Sequence, residues 1–586
     1  MIPEDVHSYG NPSQVRVRSV ALDLTVSFES RTLAGTAILG IEKSMGDAPL
    51  ILDTRDLAID EIESSGDGGI YGTVKWSVGA SDAILGAPLT IAIPAGTSFV
   101  RVKYASKPGA TGLQWLTPEQ TTGKMQPFLF SQNQSIHARS WIPIQDSPGV
   151  RVTYTARIHA PKELMALMSA EHKGSKDGVF DFEMREPIPP YLIALAVGDL
   201  QFQEVGPRTG VYAEPSVLAK AANEFSDMEK MVTAVEGLYG PYRWGRYDLL
   251  ILPPSFPYGG MENPRLTFAT PTVIAGDKSL VGLVSHELAH SWSGNLVTNA
   301  AWSDFWLNEG FTTYIENRIQ EVVYGPRLAV MEQALDHRRL EEEMKGMSPA
   351  EQILYADLKG KDPDEGTTSI PYVKGSLFVR SLEEKLGREK LDAYLRKYFD
   401  HFAFQSITTS TMLAYMKQEL GDPIPVQEWV YQAGLPASAP KAVSEPLQAV
   451  AADAKAFGSG AKSAGAIAAS KWSTQEWLEF LQALPALKAS QLAELDQKFK
   501  LTQTGNSEIL DQWLQLAIKA DYAPAYPRVE AFLMEVGRQK FIRPLYTELM
   551  KTPMGQEKAR AIYAKARGRY HPIAQTAMDK IVGKVN

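Results

Sequence analysis

The pattern His286-Glu287-Leu288-Ala289-His290 constrains the fold of this chain more than any other feature of its sequence. On a helix the two histidines stand one turn apart on the same face, where two imidazoles can bind one metal ion. Glu287 points beside that ion and can accept a proton from an attacking water molecule. A further carboxylate, Glu309, follows after a gap of 18 residues on a second predicted helix. The pattern therefore predicts two helices that share one metal site.

The available donor groups indicate which metal this is. The chain contains no cysteine, which excludes disulfides, thiolate ligands and a cysteine nucleophile. Two histidines and one glutamate, with water in the fourth position, are the ligands of hydrolytic zinc enzymes. We therefore predict one catalytic Zn²⁺ per chain, bound by His286, His290 and Glu309, with Glu287 as the general base.

Charge and hydropathy limit the other partners. The formal net charge is -9 without a long basic run, which argues against a nucleic-acid partner. The sequence has no run of 18 apolar residues, so we predict no membrane span and a soluble protein. The segment Met1–Val6 does not show the basic segment followed by an apolar segment that is typical of a signal peptide. As it stands the sequence predicts a cytoplasmic protein, and an exported or periplasmic one if a signal peptide has been removed.

Changes in periodicity predict three domains in these 586 residues. Residues 1–205 carry period-two runs such as Ser98–Tyr104, which favour antiparallel sheets with one wet face. Residues 206–436 mix helical runs with the short strand Tyr247–Leu252, which predicts an α/β catalytic domain. Residues 437–586 begin as a Pro/Ala/Ser linker and continue as a predicted stack of antiparallel helices. The helices predicted before this linker are Leu218–Leu238, Leu280–Ser293, Ser303–Tyr324 and Gly375–Tyr398.

A glycine pair and a glutamate precede the metal helix in the segment Pro257-Tyr258-Gly259-Gly260-Met261-Glu262-Asn263-Pro264. The two glycines allow a backbone to approach a peptide substrate closely. Glu262 offers a carboxylate to a substrate ammonium, and such a charge pair in a dry cleft selects a free N-terminus. The same segment is also compatible with a tight turn that carries a surface glutamate.

Taken together, the G-G-M-E-N segment, the H-E-x-x-H pattern and the spaced glutamate resemble the zinc aminopeptidases of the gluzincin class. The resemblance runs through the chain and is strongest to the branch of leukotriene-A(4) hydrolase and aminopeptidase B. It implies a multidomain α+β fold with an N-terminal antiparallel β domain, a thermolysin-like catalytic domain and a C-terminal helical domain. Further segments that carry it are Gln132–Arg139, Trp306–Gly310, Asp362–Asp364, Ile370–Gly375 and Gly537–Phe541.

The resemblance also implies roles for individual residues. Tyr372 would donate a hydrogen bond to the tetrahedral oxyanion, which suits a phenol aimed at developing negative charge. Glu262 and Gln134 would hold the α-amino group of the substrate. The predicted substrate-binding residues are Gln134, Tyr258, Gly259, Gly260, Met261, Glu262, Asp364, Arg538 and Lys540.

Among these, Asp364 would lie near the pocket for the first side chain, and Arg538 and Lys540 would bind the peptide's C-terminal carboxylate. Plain structural interpretations stay open for several of the predicted residues. Tyr372 suits a buried core position, Gln134 an ordinary strand, and Arg538 with Lys540 a solvated helix face.

Glu316 lies two turns beyond Glu309 on the same helix face. It either supports a metal ligand or forms a surface ion pair with an arginine.

The implied activity is the removal of single residues from short peptides with a free N-terminus, by an enzyme expected to be a monomer. A thermolysin-like endopeptidase shares the metal pattern, but the G-G-M-E-N segment argues against it. A scaffold without catalysis is disfavoured because every metal ligand is present. A bifunctional epoxide hydrolase and aminopeptidase is the remaining alternative. That branch places a second tyrosine five residues before the catalytic one, where this chain has Thr367, which weakens the lipid interpretation without excluding it.

Overall fold

The computed structural model describes residues 5–44 and 46–584. They form an N-terminal β domain, a central α/β domain and a C-terminal helical domain, as predicted. The prediction that no signal peptide is present concerns Met1–Glu4 in part, and these residues lie outside the described ranges. In the described part of the chain, no helix combines the length and the apolar composition that crossing a bilayer requires.

The N-terminal domain is built on a long sheet whose strands alternate buried and exposed side chains. In the strand Val15–Ser27, the side chains of Val20, Leu22, Leu24 and Val26 are buried, and the residues between them face outward. This alternation is the period-two pattern of the sequence. The strands of this sheet, in spatial order, are Glu171–Lys176, Val179–Ile188, Val152–His159, Val15–Ser27, Thr32–Lys43, Phe99–Ala105, Ala58–Ser65 and Gly72–Thr73.

The prediction of antiparallel pairing in this domain needs one correction. Val15–Ser27 and Val152–His159 pair in parallel, whereas the other neighbouring strands of the long sheet are antiparallel. A parallel pair needs a long crossover, and here more than a hundred residues separate the two strands in the sequence. Two smaller sheets complete the domain, with the strands Leu50–Thr54, Ala87–Ile91 and Trp76–Val78, and Met165–Met168, Leu195–Gly198, Phe128–Ser131 and Leu113–Leu116.

The catalytic domain contains a mixed sheet with Gly260–Met261 at one end, hydrogen-bonded to Leu266–Ala269. The remaining strands of this sheet are Tyr247–Ile251, Thr209–Ala213 and Gln201–Gly206. The predicted domain boundary at residues 205 and 206 falls within the last of these, and both boundaries remain predictions. A short parallel pair joins Val297–Asn299 to Gln405–Ile407.

The helices of this domain follow the predicted periodic runs, with two divisions. The run predicted as Leu218–Leu238 is two helices, and so is the run predicted as Gly375–Tyr398. The second division is at Gly387, whose φ of 81° ends one helix and begins the next. The α-helices are Pro215–Glu224, Met228–Tyr239, Gly282–Ala289, Trp306–Tyr324, Pro326–Met344, Gly375–Leu386, Arg388–His401, Thr409–Leu420 and Val426–Tyr431.

Two of these helices cross with their backbones in contact. A methyl group at Gly310 would lie 2.6 Å from the Cα of Gly375, and one at Gly375 would lie 2.7 Å from the Cα of Gly310. Only glycine at both positions allows this approach. The crossing brings the helix that carries Glu309 against the turn that carries Tyr372.

The C-terminal domain is a two-layered stack of helices with its own core, separate from the core shared by the other two domains. Alternate helices contact each other: Thr474–Ala483, Ser507–Lys519, Gln539–Leu549 and Pro572–Val582 in one layer, Tyr526–Glu535 and Pro553–Ala566 in the other. The domain also contains the helices Glu445–Gly458 and Ala489–Phe499. This arrangement is the predicted helical stack.

Candidate active site

Three donor atoms converge between the two central helices. Nε2 of His286 lies 3.3 Å from Oε2 of Glu309, and Nε2 of His290 lies 3.4 Å from the same oxygen. Ligands bound at about 2.0 to 2.1 Å in a tetrahedral zinc site are separated by about 3.3 to 3.4 Å. Oε2 of Glu309 is buried and accepts no hydrogen bond from the described residues. The unpartnered oxygen and the spacing of the donors both fit Zn²⁺.

The other ring nitrogen of each histidine has its own partner. Nδ1 of His286 lies 2.9 Å from Oε2 of Glu316, and Nδ1 of His290 lies 2.9 Å from the carbonyl oxygen of Ser293. A proton on each Nδ1 leaves Nε2 as the free ligand atom. Glu316 therefore orients His286, a predicted metal ligand, and its ion pair in the described residues is with this histidine and not with an arginine.

Glu287 is buried beside the converging donors. Burial raises the pKa of its carboxyl to about 8, against the opposing charges of His286 and His290. Burial also acts to raise the pKa of Glu309, but His290 and His286 bring it down to about 2. A cation bound at the donors would lower the pKa of Glu287 as well. A buried carboxyl with a raised pKa next to a metal site is suited to accept and return a proton.

The glycine pair lies directly against the side chains of Glu287 and Arg538. A methyl group at Gly260 would lie 2.5 Å from the carboxyl carbon of Glu287, and one at Gly259 would lie 2.8 Å from Nη2 of Arg538. Tyr258, half-buried, packs its ring edge-on against Phe256. The two glycines thus separate the proposed base on one side from a buried cation on the other.

Glu262, which is predicted to bind the substrate amine, lies near Glu287 and His290. Glu262 is only 3% exposed, yet its Oε1 accepts no hydrogen bond from the described residues. Burial raises the pKa of this carboxyl, and a cation beside it would reverse that effect. Met261, which lies between this glutamate and the glycines in the sequence, is buried. Its sulfur lies 3.2 Å from Nε2 of Gln132.

Gln132 was not singled out from the sequence, although it stands two residues before Gln134. Its side-chain oxygen is buried and unpartnered within the described residues, as is Nε2 of Gln134. Gln134 follows the strand Phe128–Ser131 and lies in the loop after it, which excludes the ordinary strand position considered above. Gln132 contacts Met261, the sequence neighbour of Glu262, and Gln134 offers one unpartnered donor in the loop that follows.

Tyr372 lies in a π-helical turn, Ile370–Lys374. Its ring stacks on His286 at 6.0 Å between centroids and meets Phe305 edge-on at 6.1 Å. Burial, together with the negative charges of Glu309, Glu262 and Glu287, raises the pKa of this phenol well above its usual value. The hydroxyl is therefore protonated and can donate a hydrogen bond. Its place against His286, a predicted metal ligand, favours a role in the site over that of a core tyrosine.

Asp364 lies next to the loop that carries Gln134. Its Oδ1 accepts a hydrogen bond from the backbone N–H of Ser135 at 3.1 Å, and its Oδ2 lies 3.0 Å from Nε2 of His137. Both carboxylate oxygens of Asp364 therefore already have partners. Thr367, three residues on, is exposed.

Arg538 and Lys540 begin a C-terminal helix and face the catalytic domain. Arg538 is 7% exposed and donates from Nη1 to Oγ1 of Thr272 at 3.1 Å, which excludes a solvated helix face for this residue. Lys540 is half-exposed. Both cations contact Glu508, at 3.3 Å from Arg538 and 2.8 Å from Lys540. Glu508 was not predicted from the sequence, because it lies in the polar first turn of a helix and belongs to no recognisable motif.

Comparisons with known proteins assign the chain to a family. Family models match in three parts: the peptidase M1 N-terminal domain over residues 11–192, the peptidase family M1 domain over 224–430, and the C-terminal domain of leukotriene A4 hydrolase over 472–582.

Whole-chain relatives are similar over nearly their full length. Leukotriene A-4 hydrolase of Xenopus laevis is 37% identical over 98% of both chains. Leucine aminopeptidase 2 of Yarrowia lipolytica is 36% identical over 98% of this chain and 93% of its own. The solved structure of yeast LTA4 hydrolase in complex with bestatin has a TM-score of 0.92 at 31% identity, and covers 99% of this chain and 98% of that one. The chain therefore belongs to the M1 peptidase family of zinc-dependent aminopeptidases, in the group that carries the leukotriene A4 hydrolase C-terminal domain.

Proposed function

We propose that this enzyme removes single residues from the free N-terminus of short peptides, with one zinc ion per chain and as a monomer. The observation that carries the proposal is Glu262. It is a buried carboxylate with an unpartnered oxygen, and one of its oxygens lies within 4.8 Å of ligand atoms of Glu287 and His290. A substrate ammonium would pair with this oxygen and place the first peptide bond beside the metal ligands. Cleavage then occurs one residue from the N-terminus.

The proposed chemistry uses the residues around that bond. Zinc held by His286, His290 and Glu309 would polarise the scissile carbonyl and a water molecule. Glu287 takes the proton of that water as it attacks, and passes the proton to the leaving amine. The protonated phenol of Tyr372 donates a hydrogen bond to the carbonyl oxygen as negative charge develops on it.

The other end of the substrate has its own proposed partners. Arg538 and Lys540 bind the C-terminal carboxylate of a short peptide, since Arg538 lies beside Gly259 and Lys540 contacts the same carboxylate, Glu508, as Arg538. Two cations at one end and an anion at the other select peptides with both termini free. Asp364 borders the pocket for the first side chain, and a preference for basic residues there would require a side chain that shares the oxygens now bound by Ser135 and His137.

The test is a comparison of free and blocked peptides. Wild-type enzyme should hydrolyse Ala-Ala-Ala and cleave N-acetyl-Ala-Ala-Ala poorly, because the acetylated nitrogen carries no charge for Glu262. Glu262→Ala should reduce kcat/KM on the free peptide by about 10²-fold or more, as expected when a charge-assisted hydrogen bond in a dry site is lost. Efficient cleavage of the acetylated peptide by the wild type would contradict the assignment.

Epoxide hydrolysis is the second candidate function. The relative from Xenopus laevis is named leukotriene A-4 hydrolase, and Arg538 could hold the carboxylate of a fatty acid as it would that of a peptide. Against this, Thr367 is exposed and has no ring to line an apolar channel. We propose that peptide hydrolysis dominates. Incubation with leukotriene A4 and chiral analysis of the products tests this order, and one specific dihydroxy acid formed as fast as peptides are cut would reverse it.

A further inference from the structure

Glu508 occupies the place where the two proposed carboxylate-binding cations meet. It lies in the first turn of the helix Ser507–Lys519, with a side chain 9% exposed. Its Oε1 accepts hydrogen bonds from Nη1 of Arg538 at 3.3 Å and Nζ of Lys540 at 2.8 Å, and its Oε2 lies 2.7 Å from the same Nζ. One internal carboxylate thus pairs with both cations.

The charge state of this group follows from its neighbours. Burial acts to raise the pKa of Glu508, but Lys540 and Arg538 outweigh it and the pKa is lowered. Burial and the charge of Glu508 raise the pKa of Asp511, one turn further along the helix, well above its usual value. Arg339, the next cation, is paired with Asp336 at 3.0 Å. The group of Arg538, Lys540 and Glu508 therefore carries one net positive charge instead of two.

Donor groups remain for a second carboxylate. Nη1 of Arg538 is used by Thr272 and Glu508, whereas its Nε has no partner among the described residues. Its Nη2 packs beside Gly259, on the side of the substrate segment. Lys540 is half-exposed and has three N–H donors, and its contacts here are with one carboxylate.

We propose that Glu508 is a specificity-determining residue. It acts as an internal counter-anion, and a substrate carboxylate must share Arg538 and Lys540 with it. This rests on the proposed role of the two cations in peptide binding. The shared arrangement weakens the advantage of a free-acid peptide over its amide, because the incoming carboxylate is repelled by the one already present. Glu508 also holds Arg538 in place before substrate binds, so that Arg538 loses less conformational entropy on binding.

The experiment measures binding without turnover. In an inactive Glu287→Gln background, calorimetry gives the Kd of Ala-Ala-Ala and of its C-terminal amide, with and without Glu508→Gln. We expect Glu508→Gln to tighten binding of the acid about tenfold, the change for about 1.4 kcal/mol, and that of the amide less than twofold. Glu548→Gln is the matched control, because Glu548 pairs with Lys551 at 2.7 Å at the far end of the helix Gln539–Leu549. It should change neither value.

Each outcome is decisive. An acid-to-amide ratio that stays constant or falls in Glu508→Gln overturns the proposal and leaves Glu508 a support for Arg538. Glu508→Ala gives a second variant, for which the ratio should rise and added acetate should return it towards the wild-type value. Turnover of the same peptides by the zinc-loaded wild type is measured separately. Absence of cleavage would refute the proposed function, while the binding ratio still decides the role of Glu508.

Discussion

Gly260→Ala should disable the proposed general base while it leaves the metal ligands untouched. The new methyl group would lie 2.5 Å from the carboxyl carbon of Glu287 and 2.7 Å from its Cγ, whereas ordinary contacts begin at 3.4 Å. Glu287 is buried, so its side chain has no solvent to move into. The carboxylate must shift by about 1 Å, and a misplacement of that size costs on the order of 10²-fold in rate.

The assay is steady-state hydrolysis of an alanyl-arylamide, with zinc content measured on the same preparation. We expect kcat to fall about 100-fold, which corresponds to about 2.7 kcal/mol of activation free energy. The KM and the zinc content of the protein should change little. Gly237→Ala is the control, because a methyl group there meets no described atom within 4 Å and lies in the helix Met228–Tyr239.

Gly259→Ala gives a contrast to this result. Its methyl group would press on Arg538 and Leu283 instead of the base, at 2.8 Å from each. It should affect free-acid peptides more than the arylamide, which has no carboxylate. A folded, zinc-loaded Gly260→Ala enzyme with wild-type kcat would refute the reasoning. A raised KM at constant kcat would instead assign Gly260 to substrate binding.

Three further predictions concern the metal and the residues around it. Removal of metal by a chelator should abolish peptidase activity and Zn²⁺ should restore it, with one zinc per chain by elemental analysis; full activity of the metal-free protein would contradict the site. Glu287→Gln should retain zinc and lose about 10²- to 10⁴-fold in kcat, and unchanged turnover would remove Glu287 from the mechanism. Tyr372→Phe should lower kcat by about 10²- to 10³-fold, with KM nearly constant. An effect mainly on KM would make Tyr372 a substrate-binding residue instead.

The convergence of His286, His290 and Glu309 could be predicted from the sequence because the geometry of the three residues is mostly local. The spacing of His286 and His290 is one helical turn, so the helix itself sets the direction of both rings. Glu309 required only that a second helix follow at the right distance along the chain. The structure adds what fixes the rings, namely Glu316 and the carbonyl oxygen of Ser293.

Contacts between distant parts of the chain could not be predicted in the same way. Glu508 is 30 residues from Arg538 in sequence, and the two side chains are hydrogen-bonded. Arg538 also donates to Thr272 of the catalytic domain, a contact that exists only because the C-terminal domain packs on that domain. The parallel pairing of Val15–Ser27 with Val152–His159 is equally invisible to a period-two pattern, which fixes the face of a strand but not its partner. The break at Gly387 shows a further limit, since one residue with positive φ divides a continuous periodic run.

The helix that carries Glu309 and the helix that follows Tyr372 touch through Gly310 and Gly375, backbone to backbone. The separation of Glu309, the proposed metal ligand, from Tyr372, the proposed oxyanion donor, is therefore independent of the size of any side chain at the crossing. Over evolutionary time, the surrounding core can exchange large and small residues, for example during adaptation to a new temperature, while this separation stays constant. Directed evolution towards new substrates should accordingly find its accepted changes in the cleft walls, and very few at these two glycines.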